Sequence, residues 1–211
     1  LFGSIAAASL LAAAPPAGSG IQRIVRFRKG SATAYGLLEG EQIQPVQSMY
    51  ALKPAGAKVK LSDVTLLAPG EPKKILAVGL NYKSHLGNRT PPSSPELFYK
   101  PITCAQDPDA PIISPRDSKN THYEGELVIV IGKTVRNATP EQAKAAILGV
   151  TCGNDVSERD WQGGPQKDLQ WWRAKGADTF GPYGPAVVTG IDYSKLLLQT
   201  RLNGSVVQKQ S

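Results

Sequence analysis

Hydrophobic residues recur through Ile21 to Phe27, which reads as a strand, and Ala34 to Leu38 and Gln42 to Val46 continue it. Gly30, Gly36 and Gly40 punctuate the run. The pattern predicts a β-meander within a small β-rich module that ends near Leu67. Ala68-Pro69-Gly70-Glu71-Pro72 reads as a linker. The aliphatic run Lys74 to Leu80 predicts a buried strand, and a long Pro- and Ser-rich loop follows from Asn81 to Pro95. Leu127 to Ile131, closed by Gly132, carries the strongest strand pattern in the chain, and Val150 to Cys152 a further one. Between them Thr139-Pro140-Glu141-Gln142 opens a helix: Thr139 caps it, Pro140 suits the first helical position and Gln142 completes a capping box. Ala143, Ala146 and Ile147 form its apolar face, and Gly149 ends it. Short helices are expected over Asp155–Gln162 and Gln166–Ala174. The last sixteen residues read as a hairpin turning at Asn203-Gly204.

Turn-forming residues are abundant, with 21 Gly and 17 Pro in 211 residues, which suits many short strands better than a helix bundle. Hydrophobic residues make up 41%, enough for a sizeable core. The net charge of +7 favours acidic ligands. No dense Lys/Arg stripe interleaved with aromatics accompanies it, so nucleic acid is not an expected partner. Two cysteines, Cys104 and Cys152, are too few for a disulfide framework or a Cys-based zinc site. Leu1 to Ala14 is apolar and uncharged but too short to span a bilayer. It fits a secretory-signal remnant and a buried helix alike. Three segments are therefore expected: a leader over 1–20, a β module over 21–67, and a larger unit over 68–211. The hairpin ends abruptly, and a C-terminal truncation is expected.

Chemistry concentrates around three carboxylates. Glu124 and Glu126 flank Gly125 at the mouth of the strongest strand, and residues two apart on a strand share a face. Adjacent carboxylates repel each other near a core, and a cation resolves that repulsion. Asp155, just past the next strand, could converge on them. Three carboxylates without Cys suit a hard cation, Mg²⁺ first and Mn²⁺ or Ca²⁺ next. A solvated strand end with ordinary salt bridges fits the same spacing. His122 fits a fourth ligand or a plain strand start. On a helix Arg159 and Gln162 would share a face with Asp155, compatible with a clamp for a substrate carboxylate or with surface polarity. Lys175 precedes Gly176, which lets the backbone turn sharply. Trp161, Trp171 and Trp172 read as core residues. Only His85 and His122 offer an imidazole as a base near neutral pH.

Taken together, these residues resemble the fumarylacetoacetate hydrolase family. The likeness runs from about Pro69 to Ser211, through VGLNYKSH (78–85), LFYKP (97–101), YEGELVIVIG (123–132), GNDVSERDWQ (153–162) and RAKGADTFGPYGP (173–185). It implies a mainly β fold with a few helices (α+β), a mixed β-roll of stacked sheets carrying the small N-terminal β module. It implies Mg²⁺ or a similar ion on Glu124, Glu126 and Asp155. His85 becomes the catalytic base, Lys175 a catalytic residue, and Arg159, Gln162 and Tyr82 substrate contacts. Asn88 stands where many small relatives place a Glu that polarises the histidine.

The activity implied is cleavage of a C–C bond in a small acylpyruvate or β-diketo acid through a chelated enolate, of the kind used in aromatic-compound catabolism. An enol–keto isomerase or oxo-acid decarboxylase on the same scaffold is the near alternative, and Asn88 tilts toward it. A non-catalytic metal-binding module is a third reading. A cupin-like barrel is disfavoured because only two histidines are present. The resemblance also implies a homodimer, a cytoplasmic location unless Leu1–Ala14 directs export, and no stable membrane insertion.

Overall fold

The computed structural model describes residues 20–82, 86–165 and 167–210. The leader and His85 lie outside the described residues, as does Gln166. The strands are β1 (Gln22–Lys29), β2 (Ala32–Glu39), β3 (Gln42–Val46), β4 (Val59–Lys60), β5 (Thr65–Leu67), β6 (Ile75–Gly79), β7 (Glu96–Lys100) and β8 (Ala105–Gln106). They continue with β9 (Thr121–His122), β10 (Gly125–Ile131), β11 (Ile147–Asn154), β12 (Ser157–Glu158), β13 (Gly181–Thr189), β14 (Leu198–Leu202) and β15 (Ser205–Gln210). The α-helices are short: Pro140–Ala145, Arg159–Gly163 and Trp172–Lys175. The fold is mainly β, as expected. No described helix is long and apolar enough to cross a membrane.

The main sheet runs β10-β11-β13-β1-β2-β3-β4. β1 joins its two halves. Its residues Gln22–Val25 pair with β13, and Arg26–Arg28 pair with β5 on the return of the chain. Strands from residues 22–67 and from residues 125–189 therefore share one hydrogen-bonded layer. β1 is buried on both faces. Val25 and Phe27 pack with Leu38, Ile43 and Ala186, while Ile24 packs with Met49 and Val187. Cys104, Val156 and Phe180 form a third cluster, and Val156 directly follows Asp155.

The meander and the C-terminal hairpin form as the pattern predicts. Asn203 and Gly204 both take positive φ, 50° and 84°, as a two-residue hairpin turn requires. The capping box is present in full: Thr139 Oγ1 accepts from the Gln142 amide at 3.3 Å, and the Thr139 amide donates to Gln142 Oε1 at 3.0 Å. That helix stops earlier than the apolar pattern implies. Ile147 and Gly149 already lie in β11, where a side chain on residue 149 would come within 2.3 Å of the Val188 carbonyl.

Three further expectations are corrected. The run Lys74–Leu80 does form a strand, but not a buried one. Among the described residues β6 pairs only with β7, and Leu76, Val78, Leu97 and Tyr99 are exposed. Residues 155–158 are not helical: Ser157 and Glu158 pair with His122 and Thr121, and the helix starts only at Arg159. The last of the expected helices is confined to Trp172–Lys175.

Candidate active site

The antiparallel register of β10 and β11 sets the site. Gly125 faces Asn154 and Glu126 faces Gly153, so Glu124 and Asp155 meet where the two strands end. The contact is fixed through the backbone. The Asp155 amide donates to the Glu124 carbonyl at 2.8 Å, and the Glu124 amide donates to Asn154 Oδ1 at 2.9 Å.

Lys175 enters this corner from the end of its short helix and is only 3% exposed. Its Nζ lies 2.8 Å from Glu124 Oε2, 2.7 Å from Asp155 Oδ2 and 2.7 Å from Ser157 Oγ. The Phe98 ring lies beneath the ammonium, 5.2 Å away. Gly176 serves the site by lacking a side chain, because a Cβ there would come within 2.8 Å of Pro101. Its backbone shows no positive φ, so the close approach, not a sharp turn, explains the glycine.

Lys100, which the sequence reading did not single out, supplies a second buried ammonium. Its Nζ donates to Asp155 Oδ1 at 2.6 Å and to the Lys175 carbonyl. The legible signal was alternation: Lys100 follows Phe98 by two residues and shares its inward face. Burial works against the charge of Asp155. Lys100 and Lys175 together outweigh it and hold the carboxyl below its ordinary range.

Arg159 brings the third cation, with Nη1 2.5 Å from Glu124 Oε1 and 2.6 Å from Gln162 Oε1. Arg159 and Gln162 thus stand together beside Glu124, but Asp155 lies on the irregular link before β12 and not on their helix. Glu158, also missed from sequence, braces this arm. It is fully buried and accepts from Ser118 Oγ at 2.6 Å, from the Lys119 and Asn120 amides at 3.2 and 2.9 Å, and from the Asp160 amide at 3.0 Å. Burial opposes its charge too, but those four donors hold its carboxyl below the usual value.

Glu126 behaves differently. Burial pushes its carboxyl up to about 7; the Tyr82 hydroxyl hydrogen-bonds it and pulls the other way, while Glu124 and Asp155 add repulsion. Burial and the charge of Glu126 in turn push the Tyr82 hydroxyl up to about 12. Tyr82 also accepts from the Leu127 amide at 3.4 Å. His122 is exposed and bonds Asn120 Oδ1 at 2.9 Å. Trp161 is buried as expected, whereas Trp172 is exposed.

Among the described residues, no three His, Cys, Asp or Glu side chains stand close enough together to hold a metal as they are placed. The donor chemistry nevertheless fits a hard cation. Glu124 and Asp155 converge on one ammonium, and Glu126 is a desolvated carboxylate that both of them repel. All candidate ligands are oxygens, as Mg²⁺, Mn²⁺ and Ca²⁺ prefer.

The model for the fumarylacetoacetate (FAA) hydrolase C-terminal family matches residues 74–211. The chain belongs to the fumarylacetoacetate hydrolase family. A second model, the Rv2993c-like N-terminal one, matches residues 22–69. Protein Rv2993c of Mycobacterium tuberculosis is 41% identical over 201 residues, covering 88% of this chain and 74% of that protein. The mitochondrial oxaloacetate tautomerase fahd2 of Xenopus laevis is 39% identical over 156 residues, 71% of this chain and 49% of the tautomerase. An uncharacterised Archaeoglobus fulgidus protein is 48% identical, and 62% of its length is matched. Among solved structures, that of 5-carboxymethyl-2-hydroxymuconate delta-isomerase from Mycobacterium smegmatis superposes with a TM-score of 0.80 at 40% identity, covering 89% of this chain and 75% of that one. The chain thus spans about half to three quarters of the length of these fumarylacetoacetate hydrolase relatives.

Proposed function

We propose that this chain carries the active site of a metal-dependent enzyme that moves a proton between carbon and oxygen in a small 2-oxo acid, as a keto–enol tautomerase or double-bond isomerase. The observation that carries this reading is the convergence of Glu124 and Asp155 on one buried ammonium, with Arg159 alongside. Similar proteins named as an oxaloacetate tautomerase and a hydroxymuconate isomerase support the choice of reaction.

Glu124, Glu126 and Asp155 would hold the cation. When bound, a divalent ion, Mg²⁺ first, stabilises negative charge on the oxygens of an enolate. The protein groups supply the rest. The Arg159 guanidinium binds a substrate carboxylate, oriented by Gln162. Tyr82 hydrogen-bonds Glu126 and lines the substrate side. Lys175, held by three oxygens, keeps positive charge beside the developing enolate, where a water-poor site makes it most effective. His85 is the proposed base that carries the proton. Hydrolytic C–C cleavage is the second reading, favoured by the family match itself. It needs an activated water, and Asn88 withholds the carboxylate that would strengthen His85 for that task.

The test is full-length protein with Mg²⁺, assayed in parallel for oxaloacetate enol–keto interconversion and for hydrolysis of acetylpyruvate and fumarylacetoacetate. Tautomerisation without hydrolysis is expected. Hydrolysis as the main activity selects the second reading, and absence of both leaves a non-catalytic binding module. Light scattering on the same sample tests the proposed homodimer. For the cation itself, calorimetry should show Mg²⁺ binding to wild type and at least about tenfold weaker binding to Glu126→Gln, in line with the loss of one charged oxygen ligand. Equal affinity in both would remove Glu126 from the ligand set.

A further inference from the structure

The peptide between the two neighbouring carboxylates is held by the C-terminal hairpin. Gln208, on β15, uses both ends of its amide on a single residue. Its Oε1 accepts from the Gly125 amide at 2.8 Å, and its Nε2 donates to the Gly125 carbonyl at 2.9 Å. Thr200, on the paired strand β14, faces Gln208 in the register and donates from Oγ1 to Gln208 Oε1 at 3.0 Å. The fit explains why residue 125 is a glycine: a Cβ there would stand 2.0 Å from Thr200 Oγ1.

A glycine between two functional side chains brings a conflict. It permits the close approach of the hairpin, but glycine is the most conformationally free residue type. Its φ and ψ set how the Glu124 and Glu126 side chains are directed relative to each other. The two bonds from Gln208 replace, at this one residue, the ladder bonds that a neighbouring strand would make along the open edge of β10. β10 is the outermost strand of the main sheet, and its partner β11 lies on the other side.

We propose that Gln208 is a positioning residue for the Glu124–Glu126 pair: it pins the Gly125 peptide, with Thr200 aiming its amide, so that the hairpin 198–210 sets the geometry of the proposed cation site. This rests on the metal-binding reading above. It assigns a role in the site to a part of the chain that contributes no candidate ligand.

Two measurements separate the pin from its consequence. Backbone amide exchange reads the pin. In Gln208→Ala the Gly125 amide should lose protection while those of Val128 and Val130, which alternate toward β11, keep theirs. Unchanged Gly125 protection would overturn the proposal whether or not a cation binds. Mg²⁺ calorimetry reads the consequence. Residues that orient metal ligands typically cost about 10–100-fold in affinity when removed, so Gln208→Ala should fall in that range. Thr200→Val, which retains Gln208, should weaken binding in the same direction but less. A folded Gln208→Ala protein with Mg²⁺ affinity within about threefold of wild type, short of that range, would also overturn it. A purely structural role would lower the melting temperature and leave the affinity of the folded protein alone. Wild-type protein that binds no Mg²⁺ would sink the metal-binding reading itself, a result distinct from either failure of the pin.

Discussion

Asp155→Asn should destabilise the metal-free protein by about 3–5 kcal/mol, the usual cost of stripping one partner from a buried ion pair. Asp155 receives Lys100 on one oxygen and Lys175 on the other, at 2.6 and 2.7 Å, and both lysine side chains are 4% exposed. Asparagine keeps the shape, so packing is conserved and the change is electrostatic. Among the described residues Glu124 would remain as the only carboxylate facing Lys175, and it already serves Arg159. Among the described residues Lys100 would keep the Lys175 carbonyl and a neutral amide. Urea denaturation in chelator-treated protein checks this. A loss below about 1 kcal/mol, the level of an exposed pair, would show that the two ammoniums are far better hydrated than their burial implies. The double variant Asp155→Asn with Lys100→Met should recover part of the loss, because it removes one of the stranded charges.

His85→Ala should lower kcat by about 10²–10⁴, the usual worth of a general base, in full-length protein with Mg²⁺. His85 itself lies outside the described residues, and the argument rests on its neighbours and its chemistry. Tyr82, three residues before it, reaches Glu126 and the Leu127 amide, and Leu86, just after it, is buried. A neutral imidazole is the side chain best suited to take and return a proton near neutral pH. Mg²⁺ affinity should stay nearly unchanged, since His85 is not a proposed ligand. A folded His85→Ala protein with kcat within about threefold of wild type, far short of the general-base effect, would exclude the histidine from proton transfer.

The parts of the site that were legible in the sequence are those with local signatures. The Glu-x-Glu spacing at 124 and 126, the strand that follows it and the capping box at Thr139 depend on neighbours within a few residues. The groups that were missed act across long separations. Lys100 reads as an ordinary strand lysine until β7 is seen to face Asp155, 55 residues on. Gln208 reads as a polar hairpin residue until it is found 83 residues from its partner, Gly125. Glu158 reads as one more charge in a helical stretch, whereas three of its four donors belong to a loop 38–40 residues away. The same contacts explain the misplaced helix. Pairing of Ser157 and Glu158 with β9 holds the backbone extended, and Glu158 then caps the helix that begins at Arg159. Strand Lys74–Leu80 was found but assigned the wrong burial, because an apolar run does not reveal how many strands will cover it.

The pairing of β1 with β13 bears on how this chain can be divided. Gly184 to Val188 is buried without interruption, and Ala186, Val187 and Val188 lie opposite Val25, Ile24 and Arg23 of β1. Removing residues 20–67 would bare one flank of β13, leaving unpaired amides and carbonyls beside an apolar stretch. Such an edge recruits strands from other molecules. The N-terminal segment is thus a permanent edge guard for β13, and the smallest piece expected to stay monodisperse in solution includes it.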